Sequence, residues 1–303
     1  MSESQHLRYQ KRLIDSDGIV LASETFGSPD HPAILLIMGA TASMDWWDRD
    51  FCLQLAQNGM FVVRYDNRDV GESTSYAPGT ASYNVADLVE DIVRILDGHS
   101  IARAHLLGMS LGGMLAQICS VKHPDRVRSL ILMSSSVWDD IPALPGIDPG
   151  VLDYLSTKAM PAWTNEQEVI QYIVGQARIM TGSACSFDSE RATQRAREEF
   201  RRARSIASRF NHSRLTGCED LYGISSKIQH ATLVIHGDED PVFPWPHAEN
   251  LRSTIPLARL LRLSGIGHEL PAAVWTEVIE AIIDFVNIAP QDRETWNESR
   301  PAL

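Results

Sequence analysis

Leu106-Leu107-Gly108-Met109-Ser110-Leu111-Gly112-Gly113 is the stretch on which the reading of this chain turns. Ala104 to Met109 reads as a buried strand, and residues 110 to 123 predict a helix stopped by Pro124. A turn that passes straight from strand to helix has no room for side chains beside it, which accounts for glycine at 108 and 112. Ser110 then projects from the turn with its hydroxyl exposed. The helix start aims backbone amides and a partial positive charge at the same place. A G-x-S-x-G between strand and helix is the setting of a nucleophilic serine. The competing reading, a helix start with a chance Gly-Ser-Gly, leaves the preceding strand and Gly113 unexplained.

Outward from this point, strands alternate with helices. Leu13-Ile14 and Ile19 to Glu24 flank Asp17-Gly18, a hairpin signal. Ala33 to Met38 is a short continuous apolar run of the kind buried on both faces of a sheet, and Met60 to Tyr65, Val127 to Met133, Ala231 to His236 and Ala258 to Leu263 read as further strands. Helical spacing occupies 44–58, 84–97, 246–253 and 271–286. The alternation predicts an α/β fold, a mostly parallel central sheet flanked by helices. From about Trp138 to Tyr222 no buried strand is legible, only helical stretches near 151–159, 165–180 and 188–210. The expected organisation is a core of residues 1–137 and 223–303, with a helical cap of 138–222 inserted after the sixth strand. The polar tail from Pro290 reads as loose.

Composition narrows the function classes. The chain has 303 residues, 44% hydrophobic and 22% charged, the balance of a globular protein. A net charge of −12 argues against wholesale nucleic-acid binding and against electrostatic docking on anionic lipid. No apolar run approaches the roughly 20 residues of a spanning helix. The first residues, Met-Ser-Glu-Ser-Gln-His, carry no apolar leader. The default compartment is therefore the cytoplasm. Cys52, Cys119, Cys185 and Cys218 are widely spaced and read as free thiols. No histidine pair has metal-ligand spacing, so no metal is expected.

A serine hydroxyl needs a base to take its proton and a carboxylate to orient that base. Where the serine stands on such a turn, acid and histidine follow it in that order. His268, in the glycine-rich loop Ser264-Gly265-Ile266-Gly267-His268, stands at the carboxyl end of the last strand. It is preferred over His236, which ends a strand and reads as a satisfied structural histidine, and over His247, inside a helix. Three carboxylates crowd Gly237-Asp238-Glu239-Asp240-Pro241. Asp238 suits the turn itself, Glu239 should face solvent, and Asp240 beside the stiffening Pro241 is the expected acid. Asp139 or Asp140 is the alternative. Two backbone amides should stabilise an oxyanion, Leu111 after the nucleophile and Ala40 in Met38-Gly39-Ala40-Thr41. No cofactor is implied.

With these pieces in place the chain resembles the α/β-hydrolase family over roughly 13–136 and 225–287. The resemblance rests on Ile37-Met38-Gly39, the Ser110 motif, His236-Gly237-Asp238-Glu239-Asp240-Pro241-Val242 and Gly267-His268. Asp240 stands 130 positions after Ser110 and His268 a further 28. More narrowly, Met38-Gly39, Trp46-Trp47 and Arg64-Tyr65-Asp66-Asn67-Arg68-Asp69-Val70-Gly71-Glu72-Ser73 resemble the aclacinomycin methylesterase-like carboxylesterases. Many family members have His-Gly where this chain has Met38-Gly39. Serine at the elbow separates it from the dehalogenases and epoxide hydrolases of this fold, which use aspartate there.

The resemblance implies a serine hydrolase with Ser110, Asp240 and His268 as triad, acting on a carboxylic ester, methyl esters included, of a hydrophobic small molecule. Thioesterase, acyltransferase and cofactor-free perhydrolase chemistry share that triad. A non-catalytic ligand-binding scaffold is the reading from another class. Gly39, Trp46, Met109 and Trp138 are the expected substrate-wall residues. Asp66, Arg68 and Asp69 read as braces of a loop beside the site. The arginines of 188–210, interleaved with Glu190, Glu198 and Glu199, read as an exposed charged helix rather than an anion site. Oligomeric state is not legible.

Overall fold

The computed structural model describes residues 9–288. The expectations for the first residues and for the tail from Pro290 lie outside that range. Eight strands form one sheet: β1 (Tyr9–Ser16), β2 (Ile19–Phe26), β3 (Ala33–Ile37), β4 (Phe61–Tyr65), β5 (Ala104–Met109), β6 (Val127–Met133), β7 (Thr232–Gly237) and β8 (Ala258–Leu263). Their order is β1-β2-β4-β3-β5-β6-β7-β8. The β1–β2 hairpin and the β2–β4 pair are antiparallel, and every pair from β4 to β8 is parallel.

The continuous apolar run of β3 reflects burial on both faces. Leu35 and Ile37 of β3 pack with Leu88 and Ile92 of α2 (Val85–Gly98) and Leu115 of α3 (Leu111–Lys122). Ile34 and Leu36, one position out of phase, pack on the other face. Their partners are Phe51 and Leu55 of α1 (Arg49–Gln57) and Ile279 and Ile282 of α8 (Trp275–Ile288). Helix α7 (Pro246–Thr254) joins the first cluster through Ala248 and Leu251. Local signals set these ends. Asn84 and Asp87 form a reciprocal capping box on α2. The stretch expected as one helix over 44–58 is divided, a 3-10 turn at Met44–Trp46 and then α1. The division is made by two caps, Ser43 and Asp48, each accepting an amide of the turn it starts.

Between β6 and β7 the chain leaves the sheet and forms the insertion. It holds α4 (Pro149–Thr157), α5 (Glu166–Ile179) and α6 (Ser189–Arg202), followed by 3-10 turns. The helix expected over 188–210 stops at Arg202. Beyond it Arg204 is captured by the loop after β4, its amide on Gly71 O and its Nε on Glu72 O. The exposed-helix reading of the arginines is corrected as well. Arg191 pairs with Asp48 at 2.8 Å, Arg202 with Asp45 and with Asp66 at 2.6 Å, and Arg209 approaches Glu199 at 3.6 Å. Most of the carboxylates they meet lie on the core segment 45–66, out of reach of any reading along the helix. Arg197, Arg201 and Arg204 do face solvent.

The sheet changes direction of growth at β3 and β5, which are neighbours although β4 separates them in sequence. A crevice opens outside the carboxyl ends of strands at such a point. Strained backbone collects there. Thr41, Asp69, Ser110 and Ser134, all non-glycine, have left-handed φ of 65, 67, 54 and 43° just beyond the ends of β3, β4, β5 and β6. Such residues persist only where the surroundings over-determine them, and they cluster at functional sites.

The close approach of β3 to α3 depends on Gly112. A Cβ there would fall inside the carbonyl of Ile37. Gly112→Ala should lower stability by about 3 kcal/mol, read as a loss of soluble yield and a drop in melting temperature of several degrees. An unchanged melting temperature would contradict this packing.

Candidate active site

Strand β5 delivers Ser110 at φ 54° and ψ −123°, and α3 begins at the next residue. The turn is pinned from two sides. The Ser110 amide donates to Met133 O at 3.0 Å, and Ser135 Oγ donates to Ser110 O at 2.8 Å. The loop after β3 lies against it: a Cβ on Gly39 would stand 2.9 Å from Ser110 Cβ and 3.5 Å from its Oγ. Among the described residues, neither the Ala40 amide nor the Leu111 amide has a protein acceptor. Leu111 follows Ser110 directly, and Ala40 follows Gly39, which lies against Ser110.

The loops after β7 and β8 bring an acid and a base together. His268 Nδ1 lies 2.8 Å from Asp240 Oδ2. The other oxygen, Oδ1, accepts the amides of Val242 and Phe243 at 2.8 and 2.9 Å. Burial alone would raise the Asp240 carboxyl. The His268 charge and hydrogen bond, followed by His236 and the Phe243 amide, outweigh it and hold the carboxyl below its ordinary value. A carboxylate in this place accepts a hydrogen bond from Nδ1–H of His268 and so leaves the lone pair on Nε2, the tautomer a general base needs. Asp139 and Asp140 are exposed, and Asp139 Oδ1 is used locally by the Asp140 amide.

Asp238 holds its turn through the Gly265 amide and Arg262. Glu239 meets the insertion rather than water alone, accepting the Ser183 amide and hydroxyl at 2.7 Å each. His247 is spanned by Ser136 Oγ and Pro145 O. His236 is only half satisfied. Its Nε2 donates to Phe243 O at 2.7 Å, 3.5 Å from Asp240 Oδ2, while Nδ1 is buried with no partner. The expected loop braces pair as braces. Arg68 forks onto Asp91, Asp66 accepts the Met44 and Glu72 amides, and Asp69 accepts Tyr83 Oη and Asn211 Nδ2.

Of the four residues expected along the substrate wall, Gly39 lies against Ser110. Trp46 donates its indole N–H to Glu199 beneath the Arg195 guanidinium, and Trp138 donates to Cys218 O. Met109 is buried in the cluster that also holds the α1 and α8 side chains. What the sequence did not announce is the part played by the insertion. The His268 amide donates to Met180 O at 2.8 Å, Glu269 accepts the Gly182 amide, and the Ala184 amide donates to Gly265 O. Gly182, Gly265 and Gly267 permit this contact, because a Cβ on Gly182 or Gly267 would collide with the facing backbone and one on Gly265 with Ala184 Cβ.

A sequence profile of the alpha/beta hydrolase fold matches residues 32–271. The chain belongs to the α/β-hydrolase family. As an α/β hydrolase it is 31% identical over 287 residues to rhodomycin D methylesterase DauP of Streptomyces sp. strain C5, covering 89% of this chain and 96% of the relative. It is likewise 31% identical to rhodomycin D methylesterase DnrP of Streptomyces peucetius over the same shares of the two chains. These relatives bear out the resemblance to aclacinomycin methylesterase-like enzymes. The fold matches esterase RhEst1 of Rhodococcus sp. ECU1013 with a TM-score of 0.75 at 17% identity, covering 93% of this chain and 99% of that one. No helix of this α/β hydrolase, among the described residues, is long and apolar enough to cross a membrane.

Proposed function

We propose that this α/β hydrolase cleaves a carboxylic ester, a methyl ester in particular, of a hydrophobic small molecule, through an acyl-enzyme on Ser110. The observation that carries the reading is the His268–Asp240 pair at 2.8 Å, presented at the same end of the sheet as the Ser110 turn and its two free amides. The methylesterase relatives favour the ester and its small alcohol.

In this reading Ser110 Oγ attacks the ester carbonyl while His268 Nε2 takes its proton. Asp240 stabilises the imidazolium that forms. The amides of Ala40 and Leu111 hold the oxyanion, worth about 3 kcal/mol for each donor. His268 returns the proton to the departing alcoholate, then activates water to release the acid. Residues 138–222 act as the cap over residues 1–137 and 223–303, and Trp46 and Trp138 border the bound ester.

The test is labelling with a fluorophosphonate probe and peptide mapping of the product. The expected result is one label, on Ser110, lost in His268→Ala, together with methanol release from a panel of hydrophobic methyl esters. A folded protein that hydrolyses esters with Ser110 unlabelled would overturn the assignment.

A further inference from the structure

The loop that carries the Ala40 amide is not held by its own strand alone. Four side chains grip it over seven residues. Asn67 Nδ2 donates to Met38 O at 3.2 Å, and Asp66 Oδ1 accepts the Met44 amide at 2.8 Å. These two come from the loop after β4. The other two come from the insertion. His212 Nδ1 accepts the Thr41 amide at 2.9 Å, and Glu199 Oε1 accepts the Ser43 amide at 3.1 Å. Thr41 needs such a grip, since its φ of 65° is one a β-branched residue rarely adopts.

His212 is the more telling of the two. It is 5% exposed, and its Nε2 lies 2.7 Å from Arg68 O. A carbonyl can only accept, so Nε2 carries the proton and Nδ1 offers a lone pair to Thr41. The ring thus ties the oxyanion loop to the loop after β4 in one fixed tautomer. Burial supports this by pushing the imidazole below its ordinary pKa, toward the neutral form. Holding the Thr41 N–H turned onto His212, with Met38 O fixed by Asn67, leaves the Gly39–Ala40 peptide between them one orientation. That peptide carries the Ala40 N–H, beside Ser110.

We infer that His212 is a positioning residue for transition-state stabilisation: the insertion, through this side chain, aims the Ala40 amide at the oxyanion. The inference rests on the serine-hydrolase reading above. His212 touches no reacting atom; it acts through the backbone of Thr41.

Two substitutions separate its two hydrogen bonds. His212→Asn places a carbonyl oxygen where Nδ1 stands and keeps the acceptor for Thr41. His212→Gln places its amide nitrogen near Nε2, keeps the donor to Arg68 O and removes the acceptor. Each variant is titrated with the fluorophosphonate, so that kcat for a p-nitrophenyl ester is expressed per working serine. Affinity for a trifluoromethyl ketone, whose adduct carries the oxyanion, is measured in parallel. Hydrogen–deuterium exchange of the peptide spanning 38–44 is followed in all three proteins.

The expected result is a loss of roughly 10- to 100-fold in kcat for His212→Gln, the scale of a misaimed donor, with KM within about threefold. Ketone affinity falls in parallel and exchange over 38–44 rises, while His212→Asn restores all three to within about threefold of the parent. Equal losses in both variants, or a His212→Gln enzyme with parent-like kcat per site and parent-like exchange, would overturn the inference and leave the hydrolase reading standing. A parent protein inert to esters and probe, but with the exchange pattern intact, would overturn the hydrolase reading and leave the grip on the loop in place.

Discussion

Ser110→Ala should abolish turnover while leaving the fold intact. The expected loss in kcat is on the order of 10⁶-fold, with a residue of about 10³- to 10⁴-fold over water remaining from the oxyanion amides and substrate binding. The side chain that is lost makes no contact on which the turn depends. The turn is held through the backbone of Ser110, by Met133 O and Ser135 Oγ. The melting temperature should therefore move by no more than about 3 °C, the effect of a substitution away from packing and buried hydrogen bonds. The measurement is methanol release from a methyl ester alongside a thermal melt. A folded Ser110→Ala protein that keeps more than a thousandth of the parent rate would place the nucleophile elsewhere.

Asp240→Asn should cost about 10⁴-fold in kcat, through proton placement rather than geometry. Oδ1 of Asp240 already accepts two amides, from Val242 and Phe243. In the variant the amide oxygen stays with them, and the NH₂ group takes the Oδ2 position facing His268 Nδ1. A donor there forces Nδ1 to accept and moves the imidazole proton to Nε2, so the base no longer has its lone pair on the right atom. The rate should climb with pH in the variant, as hydroxide replaces the missing base, and labelling by the fluorophosphonate should slow in proportion. Parent-like rates between pH 6 and 8 would remove Asp240 from the mechanism.

The core of this fold is written locally. A run such as Ala33 to Ile37 is apolar at every position because both faces of β3 are covered, and the glycines around Ser110 report a contact that a Cβ would block. Asp240 and His268 stand in short loops whose glycine and proline mark the ends of strands. The interface with the insertion has no such signature. His212 is 171 positions from Thr41, and Arg202 is 136 from Asp66. Neither residue type, periodicity nor flanking sequence distinguishes these from surface charges. The end of α6 has no such signature either. Helical propensity continues past Arg202, yet the chain turns extended at Ala203, and Arg204 is captured by Gly71 and Glu72.

The contact between Met180–Ala184 and the loops of Glu239 and His268 bears on how new specificities can be built on this scaffold. A chimera that exchanges the inserted helices for those of a relative transplants more than a substrate wall. It also replaces the carbonyl that receives the His268 amide and the groups that fasten Glu239 and Glu269. Grafts that cut inside α5 or at Gly182 sever those links and should yield folded but slow enzymes, whatever ester they accept. Crossover points that keep 180–184, Glu199 and His212 from the host, and exchange only α4 and the outer face of α5, leave the catalytic alignment to its native supports. On the proposed reading, the boundary between recognition and catalysis therefore runs through the insertion, not along its edge.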